Sequence, residues 1–279
     1  MPNKRVSIEK LQGMKRRSEK IVMLTTYDYP AARIAEEAGV DIAFVGDSLA
    51  MLVLGHSSTV PVTLDEMLVF MKAVSRGASA PLLLGDLPFG SYLQPSTAIE
   101  SSGRIIKEGG MDAVKLEGGK DVAAVVRAIV GAGVPVMGHI GLTPQTSGAH
   151  GGFKVQGRRA DQARRLVEDA LALEEAGVFG VVLETIPVEV AASITERLTV
   201  PTIGIGSGIG CDGQVLVWHD MLGISGAYGR HVKQYATLAA TMLEAVRAYG
   251  EDVRAKRFPD EDQTWHMAEE ELELFAAVS

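Results

Sequence analysis

Between Ile21 and Trp218, short apolar runs alternate seven or eight times with amphipathic stretches suited to helices. Few architectures accept that rhythm. Strands joined through helices rather than tight turns run parallel, and a parallel sheet needs both faces covered. Because no break in composition interrupts the repeat, the expected fold is α/β, a closed parallel barrel of alternating strands and helices. An open doubly wound sheet is the alternative. The stretch between the seventh and eighth runs is too short for a full helix, so the pattern departs from an ideal eightfold repeat.

The strands are expected at residues 21–26, 42–45, 82–84, 113–117, 134–137, 180–183, 202–205 and 214–218. Thr63 with Glu66, and Thr97 with Glu100, have the spacing of a capping box and predict helices reaching residues 76 and 109. Further helices are expected over 31–38, 121–130, 160–176, 190–198 and 235–248, the last amphipathic through Leu238, Met242, Leu243 and Val246. Ahead of the first strand, Ile8, Leu11 and Met14 share one side of a short helix that would cap the fold. Residues 1–250 then form one barrel domain, and residues 251–279 an acidic tail.

Several partners are excluded. A net charge of −8 argues against nucleic acid. The longest apolar stretch, 128–142, is interrupted by glycines, Pro135 and His139, so it does not span a membrane. The single cysteine, Cys211, rules out an internal disulfide and a zinc site built from several thiolates, and it fits a reducing cytoplasm.

Chemistry gathers where the strands end. In Ala113–Glu117 side chains alternate between faces, so Lys115 and Glu117 point one way and Val114 and Leu116 the other. Asp47 and Asp86 follow the second and third strands, so three acids on successive strands converge on one side of the barrel mouth. Such an all-oxygen cluster suits a hard cation, Mg²⁺ before Zn²⁺. Each aspartate alone has a plainer reading, as a helix N-cap at a βα turn. Glu184 ends the sixth strand across the mouth and is a candidate general base. Lys115 suits an anionic substrate, and His139 either proton transfer or hydrogen-bond support. His56 and His150 lie in glycine-bearing loops and carry weaker signals. The glycines of 204–210 suit either backbone binding of phosphate or close packing.

Taken together, the motifs resemble those of the ketopantoate hydroxymethyltransferase family. They include Val45-Gly46-Asp47-Ser48-Leu49, Asp86-Leu87-Pro88-Phe89, Val114-Lys115-Leu116-Glu117-Gly118-Gly119 and Gly138-His139-Ile140-Gly141-Leu142-Thr143-Pro144-Gln145, with Leu183-Glu184 and Asp212-Gly213-Gln214 beyond. The likeness runs in the family's order from about Ile21 to Ser225. Departures are few: Ala50 stands where glycine is common, and Ala149-His150 is unusual for the long loop. The resemblance implies a (β/α)8 TIM barrel of the phosphoenolpyruvate/pyruvate type, assembled as a cytoplasmic homodecamer. It implies that Asp47 and Asp86 bind Mg²⁺ with Glu117 as a third ligand, direct or through water. Asp47, Ser48, Asp86 and Lys115 would hold the keto acid, with His139 beside them, and Glu184 would accept a proton. The co-substrate implied is 5,10-methylenetetrahydrofolate. Rival readings are a lyase or mutase acting on another 2-keto acid, and a non-catalytic barrel that holds a phosphorylated ligand.

Overall fold

The structure, a computed structural model, describes residues 5–150, 152–226 and 229–277. Eight parallel strands close into a barrel in chain order: β1 Ile21–Thr25, β2 Ile42–Val45, β3 Leu82–Asp86, β4 Ala113–Glu117, β5 Val136–Gly141, β6 Gly180–Glu184, β7 Thr202–Ile205 and β8 Gly213–Leu216. Closure is direct, with Ile21 of β1 in register with Gly213 of β8. The open-sheet alternative is thereby set aside.

Helices α1 Ile8–Arg16 and α2 Tyr29–Glu37 flank the first strand, and α3 Leu49–Leu52 and α4 Leu64–Gly77 follow the second. Next come α5 Pro95–Lys107, α6 Ala123–Gly131, α7 Ala160–Glu175 and α8 Val188–Arg197. Only the loop 206–212 joins β7 to β8, as the short spacing required.

Period-two alternation sorts each strand. Ile42, Phe44, Leu82, Leu84, Ala113, Met137, Val182, Ile203 and Ile205 fill the barrel interior, while Ala43, Leu83, Val114, Leu116, Val181 and Leu183 pack outward under the helices. Leu11 and Met14 of α1 join the interior cluster with Ile8 against it, so this helix plugs the N-terminal end. Lys15 seals it with a 2.7 Å ion pair to Asp212, just ahead of β8.

Some boundaries differ from expectation. The Thr63–Glu66 capping box is present in both directions. The Thr97–Glu100 pair does not open its helix: α5 starts three residues earlier, at Pro95 behind Gln94, where a proline loses no helical hydrogen bond. Strand β5 begins after Pro135 and runs to Gly141, taking in His139, which the sequence placed at its end. Gly138 lies within that strand because an added Cβ would come within 2.8 Å of Leu173 on α7.

After β8 the chain forms α9 Trp218–Met221, α10 Leu238–Arg254 and α11 Glu269–Ala276. Helix α10 starts three residues later than expected and crosses the 250/251 position. Among the described residues its apolar stripe is left mostly open, although Tyr249 meets the Phe258 ring edge-on at 5.5 Å. Met242, Leu243, Val246 and Tyr249 are each half exposed or more, and no residue of the helix is buried.

Candidate active site

The inward rows that are apolar lower in the barrel turn polar at its C-terminal mouth. Leu82, Leu84 and Asp86 follow one another on β3, and Ala113, Lys115 and Glu117 on β4. Met137 and His139 continue the series on β5, and Val182 and Glu184 on β6. Strand register aligns the polar ends: Asp86 pairs with Lys115, Glu117 with His139, and Gly141 with Glu184. Asp47 stands just beyond β2, after Gly46, where a Cβ would come within 2.8 Å of the Phe44 ring.

Asp47, Asp86, Lys115, Glu117, His139, Val182 and Glu184 line one cavity of about 640 Å³. Asp47, Asp86, Lys115, Glu117 and His139 are buried there, whereas Glu184 and Ser48 are partly exposed. Lys115 Nζ lies 3.0 Å from Asp86 Oδ1, 4.0 Å from Glu117 Oε1 and 3.2 Å from His139 Nδ1. His139 bridges the mouth: Nδ1 is 3.5 Å from Glu117 Oε1, and Nε2 is 3.2 Å from Glu184 Oε2 without hydrogen-bond alignment. The backbone N–H of Asp47 donates to Asp86 Oδ2 at 3.2 Å, and Ser48 Oγ shares a 2.8 Å hydrogen bond with the Tyr27 hydroxyl.

The protonation pattern follows from burial and crowding. Burial pushes the Asp47 pKa well up, and the Asp86 and Glu117 charges push it further. Burial likewise raises Asp86, against the opposing pull of Lys115. For Lys115 burial favours the neutral amine, but Asp86, Glu117 and Asp47 outweigh it and raise the pKa. Glu117 also resists burial and stays below the ordinary carboxylate value, held by His139, Lys115 and the Gln145 backbone. In His139 burial and Lys115 disfavour the imidazolium, yet contacts with Glu117 and Glu184 raise its pKa to about 9.

Two like-charged aspartates with raised pKa values in an all-oxygen setting suit a hard divalent cation. Asp86 Oδ1 adds to the fit, being buried without an aligned hydrogen bond. Among the described residues, however, no group of three or more acidic, histidine or cysteine side chains is already arranged to hold an ion. Lys115 occupies the space between Asp86 and Glu117. The chemistry of Asp47 and Asp86 therefore fits a hard cation, while Glu117 is already engaged by His139 and the Gln145 backbone.

The weaker candidates fall elsewhere. His56 is exposed and does not line the cavity. The His150 side chain lies outside the described ones. The glycines of 206–210 meet protein rather than open space: a Cβ at Gly208 would reach Val188 within 2.5 Å, and Gln214 Nε2 donates to the Gly208 carbonyl at 2.9 Å. Close packing accounts for that loop. Two residues without a role in the sequence reading also belong to the site's fabric. They are Gln145, buried between Asp47 and Glu117, and Tyr92, which donates to it. Gln145 stood inside a recognised motif, but nothing in its spacing announced a contact with acids on two other strands.

Solved structures share this barrel. Phosphonopyruvate hydrolase in complex with oxalate and Mg²⁺ superposes with a TM-score of 0.60 at 13% identity, covering 97% of this chain and 95% of its own. 2,3-Dimethylmalate lyase, of the PEP mutase/isocitrate lyase superfamily, gives 0.56 at 15%, covering 98% and 99%. Those likenesses concern the fold.

Sequence relatives are far nearer. The 3-methyl-2-oxobutanoate hydroxymethyltransferase of Carboxydothermus hydrogenoformans is 52% identical over 96% of this chain and 98% of its own. The enzyme of that name from Oleidesulfovibrio alaskensis is 56% identical over 91% and 89%. The profile of the ketopantoate hydroxymethyltransferase family matches residues 5–261. By that match and by relatives more than half identical along nearly its whole length, the chain belongs to the ketopantoate hydroxymethyltransferase family and is a hydroxymethyltransferase.

Proposed function

We propose that the chain transfers a hydroxymethyl group from 5,10-methylenetetrahydrofolate to 3-methyl-2-oxobutanoate, giving 2-dehydropantoate by way of the keto acid's enolate. The observation that carries this reading is the single cavity in which Asp47, Asp86, Lys115, Glu117 and His139 meet Glu184. Asp47 and Asp86 would hold Mg²⁺, with Glu117 as a third ligand, direct or through water. When bound, the cation supplies Lewis-acid stabilisation of the negative charge that develops on the keto acid's oxygens.

The chain's own residues do the rest. Lys115, kept cationic by its three acidic neighbours, faces the substrate carboxylate, and Ser48, Asp47, Asp86 and His139 orient the keto acid. The apolar wall of Val182, Ile205 and Val215 receives its two methyl groups. Glu184 takes the proton from the carbon beside the ketone, with His139 at 3.2 Å to steady the carboxylate. Water adds to the donor's methylene carbon and releases tetrahydrofolate and formaldehyde. The enolate carbon then attacks the formaldehyde carbon, and the formaldehyde oxygen takes a proton to become the new hydroxyl.

Self-association belongs to the same reading. The exposed stripe Met242, Leu243, Val246 and Tyr249 favours burial against further copies of the chain, in keeping with the decamer that the family resemblance implies. No helix among the described residues is long and apolar enough to cross a membrane. We place the enzyme in the cytoplasm, in keeping with its lone cysteine.

Incubation with 3-methyl-2-oxobutanoate, the methylene folate and Mg²⁺ should yield 2-dehydropantoate. Leaving out the folate should stop product while the substrate proton still exchanges with deuterated solvent. Failure to form product with all three present would overturn the assignment.

A further inference from the structure

Gln145 is almost wholly buried, and every polar group it offers to the site is spent. Its backbone N–H donates to Glu117 Oε2 at 3.0 Å. Its side-chain Nε2 donates to Asp47 Oδ2 at 2.9 Å and to the Leu87 carbonyl at 3.0 Å, next to Asp86. A single side chain and its backbone, in the turn that follows β5, thus tie together the ends of β2, β3 and β4. Its remaining atom, Oε1, accepts from the Tyr92 hydroxyl at 2.5 Å.

Tyr92 and the Leu87 carbonyl together set which way the amide faces. A phenol can donate to the amide oxygen, and that leaves the NH₂ end for acceptors. With the amide reversed, its oxygen would confront the Leu87 carbonyl, an acceptor with no proton to give, and the donation to Asp47 Oδ2 would be lost. The orientation also divides the labour of each acid. Oδ2 of Asp47 and Oε2 of Glu117 are engaged by Gln145, whereas Glu117 Oε1 faces His139 and Lys115. Asp47 itself lines the cavity.

We propose that Gln145, its amide set by Tyr92 and the Leu87 carbonyl, is a positioning residue that fixes Asp47 and Glu117 for the cation and the keto acid. This inference rests on the reading that Asp47 helps hold Mg²⁺. Partners that orient a ligand's carboxylate raise affinity without touching the ion, and losing one typically weakens binding about 10- to 100-fold.

The test is Mg²⁺ and Mn²⁺ binding to the full chain, by calorimetry and by the Mn²⁺ electron paramagnetic resonance signal, without turnover. Gln145→Met keeps the side chain's length and removes its donors, and it should weaken binding about 10- to 100-fold. Tyr92→Phe removes only the hydroxyl and should weaken it about 3- to 10-fold, the scale of one hydrogen bond. In both, excess Mg²⁺ should restore keto-acid proton exchange, which a general packing defect would not allow. Asp47→Asn is the control for the underlying reading. If Asp47→Asn loses binding while both variants bind as wild type does, the positioning role is overturned and the reading stands. If Asp47→Asn also binds normally, the reading fails and the positioning role with it. Should Gln145→Met not fold, Tyr92→Phe carries the decision, because deleting one hydroxyl leaves the packing intact.

Discussion

The mouth of the barrel has two unlike halves. From β3 to β6 the inward rows end in Asp86, Lys115, Glu117, His139 and Glu184. From β7 round to β1 they end in Ile205, Val215 and Met23, with Thr25 as the polar exception. The same alternation and the same burial act on both halves, so the fold alone does not place the charges. What differs is cost. Four ionisable groups among Asp86, Lys115, Glu117 and His139 share one dry wall, and each is tolerable only because another answers it. The charged half is held in tension by its own pairs, while the apolar half is ordinary core. Substitutions in the two halves should therefore fail in different ways.

The largest effect is expected at Glu184, the charged group least enclosed by others. Glu184→Gln keeps its shape and removes the proton acceptor. Exchange of the keto-acid proton should fall about 10²- to 10⁴-fold, the range for a general base, with Mg²⁺-dependent keto-acid binding retained. Exchange at the wild-type rate would take the residue out of that role.

Lys115→Met should damage stability first. It leaves Asp86 and Asp47 without the lysine's counter-charge, the His139 imidazolium answering only Glu117 and Glu184, and breaking such a buried arrangement costs about 3–5 kcal/mol. Urea denaturation in the presence of a chelator should show the loss. Added Mg²⁺ should recover more stability in this variant than in wild type, since the cation then answers the acids alone. An unchanged unfolding midpoint in chelator would mean that the wall does not depend on its lysine.

His139 gives the charged half a pH signature. Its folded pKa is raised, to about 9, so the imidazolium favours the folded state. That contribution is complete below the unfolded histidine value, about 6.5, and disappears as pH rises through about 9. Unfolding of chelator-treated protein should lose stability over that window. His139→Gln should flatten the curve there, and a flat wild-type curve would contradict the assigned shift.

The contrast also explains what could be read from the chain. The charged half was legible because strand residues obey a period of two: once Lys115 and Glu117 fell on one face, the neighbouring strand ends had to share it. The barrel followed from the repeat, and even the missing helix between β7 and β8 was visible as a short spacing. Loop contacts obey no period. Gln145 reaches Asp47, 98 positions away, through a 3₁₀ turn that carries no hydrophobic pattern. Strand β5 was misplaced because Gly138 and His139 look like a turn, and only Leu173 on a neighbouring helix shows why glycine is needed there. Helix α10 was seen as amphipathic, but what its apolar side covers is not written in one chain.

The smallest effect belongs to the apolar half. Ile205 is buried at the end of β7 and borders the cavity. Ile205→Val removes one methylene group, which costs about 0.5–1.5 kcal/mol of stability in a packed interior. No charge loses its partner, so this loss should be the same with chelator and with Mg²⁺. If the wall receives the substrate's methyl groups, the vacated space should raise the keto-acid KM by less than about tenfold and leave the rate of proton exchange at saturation unchanged, because one methylene of contact is worth about 1 kcal/mol. A Mg²⁺-dependent stability change in this variant, or a drop in the saturated exchange rate, would show that the two halves are coupled and that the wall helps align Glu184. Independence would leave the apolar side as shape alone, and the chemistry confined to the strands that bear the charges.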